Sequence, residues 1–531
     1  MRHHRHWSPL GVRVCLALVL AVGSLGGQVR KAEPDSLAAR INSILDTKEA
    51  QRAHWGIQVV SLDTGKTIFA RHDHQLFTPA SNTKLFTIAA ALEGLGPDFK
   101  FRTTVECVAL PDKLGRIAGD VILVGRGDPN LSGRQLPYQG RTERTAGPLR
   151  ALDLLADQVA EHGVRYVDGD VVADDTYFVF ERYAEGWSQD DLLWYYGAPV
   201  SALSVNDNTL FLEVLPGEKP GDPALVKLDP FEGYYRVENR IVTVDRRAPQ
   251  RAAGGGDEEG GSRRIQVNRE PGGMTLELWG RIPVDDAGAH EMLAIEDPAQ
   301  FAARYFRDAL QRRGVVVYGQ ARVQHLRPID LQTPAPPAPA TRPRAVMATV
   351  ESLPLVEDLK VISKVSQNLH AEMVLRTLSQ ERRADIGRNP PGSTAAGLAA
   401  MKAFLTRAGV PEDEYYFADG SGLSRQNLVT PAATVRLLSY MDKSANRERW
   451  LDLLPVAGVD GTISDRFKET PAAGKIRAKT GSLGHVNALS GYATTTSGER
   501  LAFSIFVNNH NLRGGRSTVL VDSIASALVS R

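Results

Sequence analysis

The sequence contains very little cysteine. Among its 531 residues only Cys15 and Cys107 are cysteines, and Cys15 lies in an apolar N-terminal segment that we expect to be removed. One remaining cysteine excludes an internal disulfide, so the fold must depend on its packed core. No feature that would lower the pKa of a thiol is visible around Cys107, which favours a small core side chain over a catalytic one.

The chain also has almost no net charge. Lysine and arginine number 63 against 62 aspartates and glutamates, for a formal charge of +1. Nucleic-acid-binding proteins normally carry a basic excess or patch, so we expect no nucleic-acid partner. We expect no metal and no other cofactor, because the turn His72-Asp73-His74 lacks a third ligand at helical spacing.

Long hydrophobic runs are absent beyond the N-terminus. There, Arg2, Arg5 and Arg13 precede the apolar run Val14 to Val22, and glycines and a serine follow, as is typical of a secretory signal peptide. The run is short for a bilayer span, although an uncleaved anchor remains the alternative. We therefore predict a signal peptide at residues 1–27, export to the periplasm, and a protein that is peripheral or soluble rather than membrane-spanning.

The first chemical motif is a serine followed three residues later by a lysine, Ser81 and Lys84. Thr78 suits a helix N-cap and Pro79 the first helical position, so the apolar run continuing to Leu95 predicts a helix that begins here. Ser81 then lies in the first turn, where free N–H groups favour an anion, and Lys84 lies on the same face. A lysine can activate a serine only if burial or another cation lowers its pKa.

Two further motifs follow in the chain. Ser366-Gln367-Asn368 stands where a helical pattern begins, and Lys479-Thr480-Gly481 follows the strand-like segment Lys475 to Ala478. Ser-x-x-Lys alone is common by chance, whereas the three motifs in this order are typical of penicillin-binding proteins and serine β-lactamases. The sequence therefore predicts an acyl-transfer site built on Ser81.

Further segments resemble one branch of these proteins, the D-alanyl-D-alanine carboxypeptidase/endopeptidases of the penicillin-binding protein 4 type. The matching segments are Gly125 to Pro129, Tyr196 to Leu203, Asp419 to Arg425, Leu454 to Gly458, and Asp460 to Thr462. The resemblance implies an α+β fold: a penicillin-binding/serine β-lactamase-like transpeptidase domain, with an antiparallel sheet flanked by helices and two nested β-rich insertions. It also implies D-Ala-D-Ala carboxypeptidase and DD-endopeptidase activity on peptidoglycan peptides, covalent inhibition by β-lactams, and a homodimer as an open possibility.

The order of the patterns predicts how the domains are arranged. Hairpin-like strands near both chain ends would share one sheet, and two similar helix–strand units, at 154–173 and 301–323, would form the halves of an insertion. We predict a catalytic domain at 34–97 and 346–531, inserted domain II at 98–200 and 283–327, nested β-rich domain III at 201–282, and a Pro-rich linker at 328–345.

The resemblance implies a role for each motif residue. Ser81 is expected to be the nucleophile and Lys84 its base, while Ser366 passes a proton to the leaving amine. Asn368 is expected to bind the substrate amide or Lys84. Lys479 is expected to act as a cation that holds down the pKa of Lys84 and attracts the terminal carboxylate of the substrate.

The resemblance also implies residues that bind the substrate. The backbone N–H groups of Ser81 and Ser482 are expected to form the oxyanion hole. Substrate-binding residues are expected at Thr480, Gly481, Arg425, Asp175 and Phe178. Asp175 is also explained by a plain strand-end cap, and Gly484 stands where related sequences have a glutamine that recognises the substrate.

Two other functions share parts of the pattern. A serine β-lactamase has the three motifs but lacks the large insertion, and no glutamate stands where its deacylating base is expected. A non-catalytic penicillin sensor needs a membrane span for signalling, and none follows the leader. The sequence therefore favours a DD-peptidase over both.

Overall fold

The structure is a computed structural model that describes residues 36–140, 147–231, 233–246, 262–332 and 343–531. The predicted signal peptide at 1–27 and most of the predicted Pro-rich linker lie outside these ranges. Within them, no helix has both the length and the apolar character needed to cross a membrane.

The helices and strands are numbered in chain order. The helices are α1 (Leu37–Leu45), α2 (Thr83–Gly94), α3 (Arg150–Glu161), α4 (Pro298–Arg312), α5 (Leu355–Lys360), α6 (Asn368–Glu381), α7 (Thr394–Arg407), α8 (Pro431–Met441), α9 (Arg447–Leu453) and α10 (Arg516–Val529). The strands are β1 (His54–Ser61), β2 (Thr67–Arg71), β3 (Arg102–Cys107), β4 (Arg116–Ile117), β5 (Val121–Val124), β6 (Tyr166–Val167), β7 (Val171–Val179), β8 (Thr209–Leu215), β9 (Leu225–Asp229), β10 (Arg236–Val244), β11 (Arg264–Asn268), β12 (Thr275–Pro283), β13 (Ala289–Ala294), β14 (Val316–Val317), β15 (Ala321–Leu326), β16 (Ala345–Glu351), β17 (Tyr415–Tyr416), β18 (Leu428–Val429), β19 (Ile476–Leu483), β20 (Val486–Thr494) and β21 (Arg500–Asn508).

The region that carries the three motifs is organised around an antiparallel sheet with the strand order β19-β20-β21-β1-β2. The last strand of the chain, β21, pairs along the first, β1, with Ile505 opposite Ile57. This pairing builds one region from both ends of the chain.

Alternate residues of β21 face two helical layers. Phe503 and Ile505 are buried with residues of α1 and α10, whereas Ala502 and Phe506 are buried on the other face with residues of α2, α6 and α8. Because side chains alternate along a strand, one continuously apolar strand serves both layers. The layer that contains α2 and α6 carries the first two motifs.

The inserted region contains a second sheet, β15-β7-β5-β3-β16, and a small parallel sheet, β14-β6-β4. Helices α3 and α4 pack against each other and against this region. The two similar helix–strand units lie side by side, since β7 of the first pairs in parallel with β15 of the second.

The nested region contributes two three-stranded sheets, β13-β8-β9 and β10-β12-β11. Their buried residues, including Leu212 and Leu276, belong to the same core as Phe301 and Phe306 of α4. The nested sheets therefore pack directly onto the inserted region.

Two strands lie at expected domain boundaries. β13, beyond the expected end of domain III at residue 282, pairs with β8 of that domain. β16 spans the expected start of the second catalytic segment at residue 346, yet it pairs with β3 of the inserted sheet. Both pairings join strands that are distant in sequence, so local patterns do not reveal them.

Candidate active site

The helix that follows Ser81 begins later than the sequence predicts. Ser81 lies in a tight helical turn, Ala80–Asn82, and α2 begins only at Thr83 with no side-chain cap. The prediction that Thr78 is its N-cap is therefore wrong. Ala80 occupies the left-handed region at φ 48°, a conformation that is uncommon for alanine and is held by the surrounding structure.

This turn brings Ser81 against strand β19. A Cβ atom on Gly481 would lie 3.1 Å from the Ser81 amide nitrogen and 2.6 Å from the Pro79 carbonyl oxygen. Asn82 fastens the same turn, because its Nδ2 donates to the Lys479 carbonyl at 3.0 Å. The close approach explains the glycine at position 481.

Lys84 is fully buried, and its Nζ has three oxygen neighbours. Ser81 Oγ lies 3.0 Å away, Asn368 Oδ1 2.6 Å and the Ser421 carbonyl oxygen 2.5 Å. The Asn368 amide is oriented by its Nδ2, which donates to the Tyr196 carbonyl at 2.8 Å. As an ammonium, Nζ donates to all three oxygens. A neutral amine has two hydrogens and one lone pair. A neutral Nζ that keeps its two hydrogens on Asn368 and Ser421 would direct its lone pair at the Ser81 hydroxyl.

Burial is the main cause of the lowered pKa values of the two lysines, Lys84 and Lys479. It lowers the pKa of Lys84 to about 7, and the carboxylates of Asp419 and Glu372 oppose this shift. It also lowers the pKa of Lys479 well below its ordinary value, with the charge of Lys84 adding to the effect. We expected Lys479 to hold down the pKa of Lys84, but burial is the main cause.

The second motif contacts both lysines. Ser366 follows the π-helical turn Val361–Val365 and adopts the left-handed region at φ 66°, and Asn368 begins α6. Lys479 Nζ donates to Ser366 Oγ at 2.8 Å. Ser366 therefore contacts one lysine while Asn368 contacts Lys84.

The third motif lies inside β19. The strand continues beyond the strand-like segment Lys475 to Ala478, because the residues as far as Leu483 pair with β20, with Lys479 opposite Ser490. Lysine and glycine have little strand preference, so the distant partner strand decides the conformation. The Thr480 hydroxyl donates to Thr462 Oγ1 at 2.8 Å.

A cleft of about 770 Å³ opens beside these residues. Of the expected site residues, its lining includes Ser81, Ser366, Asn368, Ser482 and Arg425. It also includes residues that sequence reasoning missed: Arg134, Asp191, Tyr195, Tyr196, Asp207, Thr209, Phe211 and Met292. The segment 187–196 is rich in acidic and aromatic residues, and this composition marks it in the sequence as a candidate binding segment. Thr209, Phe211 and Met292 lie on strands and reach the cleft only through the tertiary fold.

Asp175 and Phe178 are not brought to the cleft. The Asp175 carboxylate is buried and accepts hydrogen bonds from Ser201 Oγ and His325 Nδ1, both at 2.8 Å. Phe178 is 2% exposed and packs in a small apolar cluster with residues of α6. Both side chains of β7 point into packed interfaces, so their role in substrate binding stays a prediction that the lining of the cleft does not support.

Arg425 reaches over the end of β19. Its Nη1 donates to the Gly484 carbonyl at 3.2 Å, and a Cβ on Gly484 would lie 3.1 Å from Nη2. The glycine that replaces the expected glutamine thus makes room for the guanidinium. Burial raises the pKa of Asp191, and the charge of Arg425 opposes the rise. The cleft therefore presents an arginine and an aspartate within electrostatic reach of each other.

A buried carboxylate holds the peptide that contacts Lys84. Glu372 lies one helical turn after Asn368, and its Oε1 accepts hydrogen bonds from the backbone N–H groups of Gly420 at 3.0 Å and Ser421 at 2.8 Å. Burial raises the pKa of Glu372 to about 7, and Asp419 adds to the rise. One face of α6 thus supplies both the direct and the indirect support of Lys84.

A buried histidine ties α6 to α5 and to the nested region. His370 Nδ1 lies 2.7 Å from Asp358 Oδ1, and its Nε2 lies 3.2 Å from Asp207 Oδ1. Burial lowers the pKa of His370, but Asp358 and Asp207 outweigh it and raise the pKa to about 9. Gln367 Nε2 also donates to Asp207, at 3.2 Å. Asp207 therefore holds the residues on both sides of Asn368.

A buried lysine that faces a serine, beside a second serine–lysine contact, is the arrangement typical of the penicillin-binding class. The comparisons with known proteins agree with this class. A profile of the D-Ala-D-Ala carboxypeptidase 3 (S13) family matches residues 37–525. The chain therefore belongs to this family and is a serine-type D-Ala-D-Ala carboxypeptidase.

Relatives match over almost the whole chain. The D-alanyl-D-alanine carboxypeptidase of Actinomadura sp. is 35% identical over 499 residues, which cover 92% of this chain and 83% of that protein. The D-alanyl-D-alanine carboxypeptidase DacB of Haemophilus influenzae is 26% identical over 484 residues, 89% of each chain.

Solved structures match the fold. Penicillin-binding protein 4 of Haemophilus influenzae superposes with a TM-score of 0.75 at 24% identity, covering 92% of this chain and 98% of that one. The same protein complexed with a β-lactam gives a TM-score of 0.71 at 23% identity, covering 93% of this chain and 100% of that one. The predicted α+β fold, with a transpeptidase domain and β-rich insertions, is confirmed.

Proposed function

We propose that this carboxypeptidase works through an acyl-enzyme on Ser81, and that it cuts peptide cross-links as well as terminal D-Ala-D-Ala bonds of peptidoglycan. The observation that supports the mechanism is the orientation of Lys84. Its Nζ lies 3.0 Å from Ser81 Oγ and also contacts Asn368 and Ser421, so in the neutral amine these two oxygens can hold both hydrogens while the lone pair faces the Ser81 hydroxyl.

Acylation begins with neutral Lys84. As Ser81 Oγ attacks the carbonyl carbon of the scissile bond, Lys84 accepts the hydroxyl proton. The oxyanion is stabilised by the backbone N–H groups of Ser81 and Ser482, and loss of one such donor typically costs on the order of 10²–10³ in rate. Ser366 relays to the leaving amine the proton that Lys84 took from Ser81, the C–N bond breaks, and an ester on Ser81 remains with Lys84 neutral again.

Lys479 has a different task. Burial is the main cause that lowers the pKa of Lys479, and the charge of Lys84 lowers it further, so a neutral Lys84 removes one of the two effects and makes protonation of Lys479 easier. The ammonium, with the Thr480 hydroxyl, attracts the carboxylate of the terminal D-Ala. Gly481 contributes by letting Ser81 lie close to β19, so that nucleophile and carboxylate site share one end of the strand.

Deacylation uses water in place of the serine hydroxyl. Water attacks the ester carbonyl, the bond to Ser81 Oγ breaks, and the serine regains a proton as the shortened peptide leaves. A β-lactam forms the same ester, but its leaving group stays tethered by the opened ring and keeps water from completing the reaction. β-Lactams therefore act as covalent inhibitors.

The side chain of the third amino acid of the substrate peptide is bound by a charged pair in the cleft, Arg425 and Asp191. Arg425 suits a carboxylate. Asp191 and Tyr195 line the same cleft and suit an ammonium group, in the role first expected of Asp175 and Phe178. A third-position amino acid that carries both an amine and a carboxylate fits this pair.

Export through the predicted signal peptide and action in the periplasm complete the proposal. Removal of residues 1–27 on secretion is checked by N-terminal sequencing of protein recovered from a periplasmic extract. Sedimentation of the mature protein decides whether it is a homodimer.

The function is tested by incubating the purified mature protein with an uncross-linked pentapeptide and with a cross-linked muropeptide dimer. We expect release of D-Ala from the first and two separated peptides from the second, with neither product from Ser81→Ala. Rapid turnover of penicillin without peptide cleavage would instead indicate a β-lactamase. Stable acylation with no peptide cleavage would indicate a sensor.

A further inference from the structure

The outer wall of the catalytic cleft is contributed by the nested region. Thr209 and Phe211 of β8 and Met292 of β13 line the cleft together with Ser81. The hydrogen bonds of the serine–lysine groups among the described residues do not involve these three side chains. The proposed acyl transfer therefore gives no reason for their place in the cleft wall. Phe211 and Met292 are partly exposed on one side of a sheet that extends away from the site, whereas Thr209 is buried at its start.

That sheet has one buried and one accessible face. Along β8, Leu210, Leu212 and Val214 are buried, whereas the residues between them are partly exposed. Residues directly opposite each other on paired strands share a face. Phe211 is opposite Met292 and Asp229, and Glu213 is opposite His290 and Lys227. These six residues define the outer face of the sheet β13-β8-β9.

The outer face carries a second cavity that continues the cleft. This cavity, of about 500 Å³, is lined by all six residues of the outer face. Phe211 and Met292 line both the cavity and the catalytic cleft, so the two spaces meet at these side chains. The cleft and the second cavity therefore adjoin at Phe211 and Met292, and we refer to the two adjoining spaces together as the groove.

We propose that the outer face binds the second stem peptide of a cross-linked substrate. The assignment rests on the proposed endopeptidase function. A terminal D-Ala leaving group is a single residue and fits within the catalytic cleft, whereas a cross-link carries a whole second peptide that must leave the cleft along a continuous surface. The groove over Phe211 and Met292 is such a surface.

The chemistry of the outer face fits a peptide that bears both charges. Phe211 and Met292 offer an apolar platform, and a methionine adapts to irregular partners. Lys227 can pair with a stem-peptide carboxylate, whereas Asp229, Glu213 and Glu291 of the same cavity can pair with an ammonium group. The excess of acidic side chains disfavours a polyanion such as a nucleic acid or an acidic glycan.

The test uses variants that change the second cavity without touching the cleft. Lys227→Glu and His290→Ala alter residues that line the second cavity but not the catalytic cleft. Lys227 is exposed on a strand surface, so its reversal leaves the core intact. Lys219→Glu is a matched charge reversal in an exposed loop of the same nested region, outside the second cavity.

The measured quantity is the ratio of kcat/KM for a cross-linked muropeptide dimer to kcat/KM for an uncross-linked pentapeptide. We expect Lys227→Glu to lower this ratio about fivefold, the change produced when an attraction at a partly exposed charge becomes a repulsion. His290→Ala should lower it less, and Lys219→Glu should leave it unchanged.

Two results would overturn the assignment in distinguishable ways. If the wild type cuts the dimer but the ratio is the same in all variants, the outer face does not bind the second peptide. If the wild type releases D-Ala from the pentapeptide and never cuts the dimer, the proposed endopeptidase function is wrong. The proposal that the outer face binds a second stem peptide is then wrong as well.

Discussion

Glu372 Oε1 accepts a hydrogen bond from the Ser421 backbone N–H at 2.8 Å, and the Ser421 carbonyl in turn lies 2.5 Å from Lys84 Nζ. The carboxylate thereby fixes the peptide whose carbonyl contacts Lys84, the general base that we propose. Glu372 is not among the residues that line the cleft, so it acts on Lys84 through this peptide.

Removal of this support should impair acylation. Glu372→Ala leaves two buried N–H groups without an acceptor, which typically costs about 1–3 kcal/mol each. We expect the rate of benzylpenicillin acylation to fall at least about tenfold through misplacement of Lys84. Glu372→Gln keeps an acceptor oxygen and should recover most of the rate. Equal loss in both variants would show that the charge of Glu372, and not its hydrogen bonds, matters.

The acylation rate should rise with pH through about 7, where burial places the pKa of Lys84. Below this pH Lys84 is protonated and cannot accept the proton of Ser81; above it the amine is neutral. Stopped-flow acylation at a series of pH values measures the midpoint. In Glu372→Gln the midpoint should move to lower pH, because a negative charge that favours protonated Lys84 is gone. A rate that is flat between pH 6 and 8 would contradict Lys84 as the base.

His370 should make stability depend on pH. Its pKa is about 9 in the folded protein and about 6.5 in an unfolded chain. Because the folded value is the higher one, its contribution is fully present below about pH 6.5 and is lost as pH rises through 9. The Tm gap between wild type and His370→Gln should therefore narrow from pH 6.5 to pH 9.5.

The control for this experiment is His162→Gln, at an exposed histidine of the inserted region. Its Tm should follow the wild type at every pH. A gap between wild type and His370→Gln that is the same at both pH values would show that His370 acts through packing alone.

Gly484→Gln should weaken recognition of an acidic substrate side chain. The new side chain would occupy the space of Arg425 Nη2, 3.1 Å from the Cβ position. We expect KM for a peptide with an acidic third-position side chain to rise about tenfold, as for the loss of one charge-assisted hydrogen bond. Arg425→Ala should raise it similarly, and the double variant should add little. Additive effects would mean that the two residues act independently.

The chemical groups of the site could be predicted from the sequence because each motif is local. Ser81 and Lys84 lie one helical turn apart, and the contact between them follows from helix geometry. The role of Glu372 is also predictable from local spacing, because it stands four residues after Asn368 and so lies on the same face of α6.

Which side chains line the cleft, and which point away from it, could not be predicted in the same way. The side chain of Asp175 is directed by the pairing of β7 with β15, and that of Phe178 by packing on α6. Met292 reaches the cleft only because β13 pairs with β8. Such placements depend on strands and helices that are far apart in the chain, and no local pattern encodes them.

The central claim is that Ser81 forms the covalent intermediate with Lys84 as its base. The direct test is the intact mass of the mature protein over time with benzylpenicillin, for the wild type, Ser81→Ala and Lys84→Ala. We predict a stable adduct of one penicillin in the wild type, none in Ser81→Ala, and at most slow formation in Lys84→Ala. An adduct on Ser81→Ala, or none on the wild type, would contradict the assignment of the site.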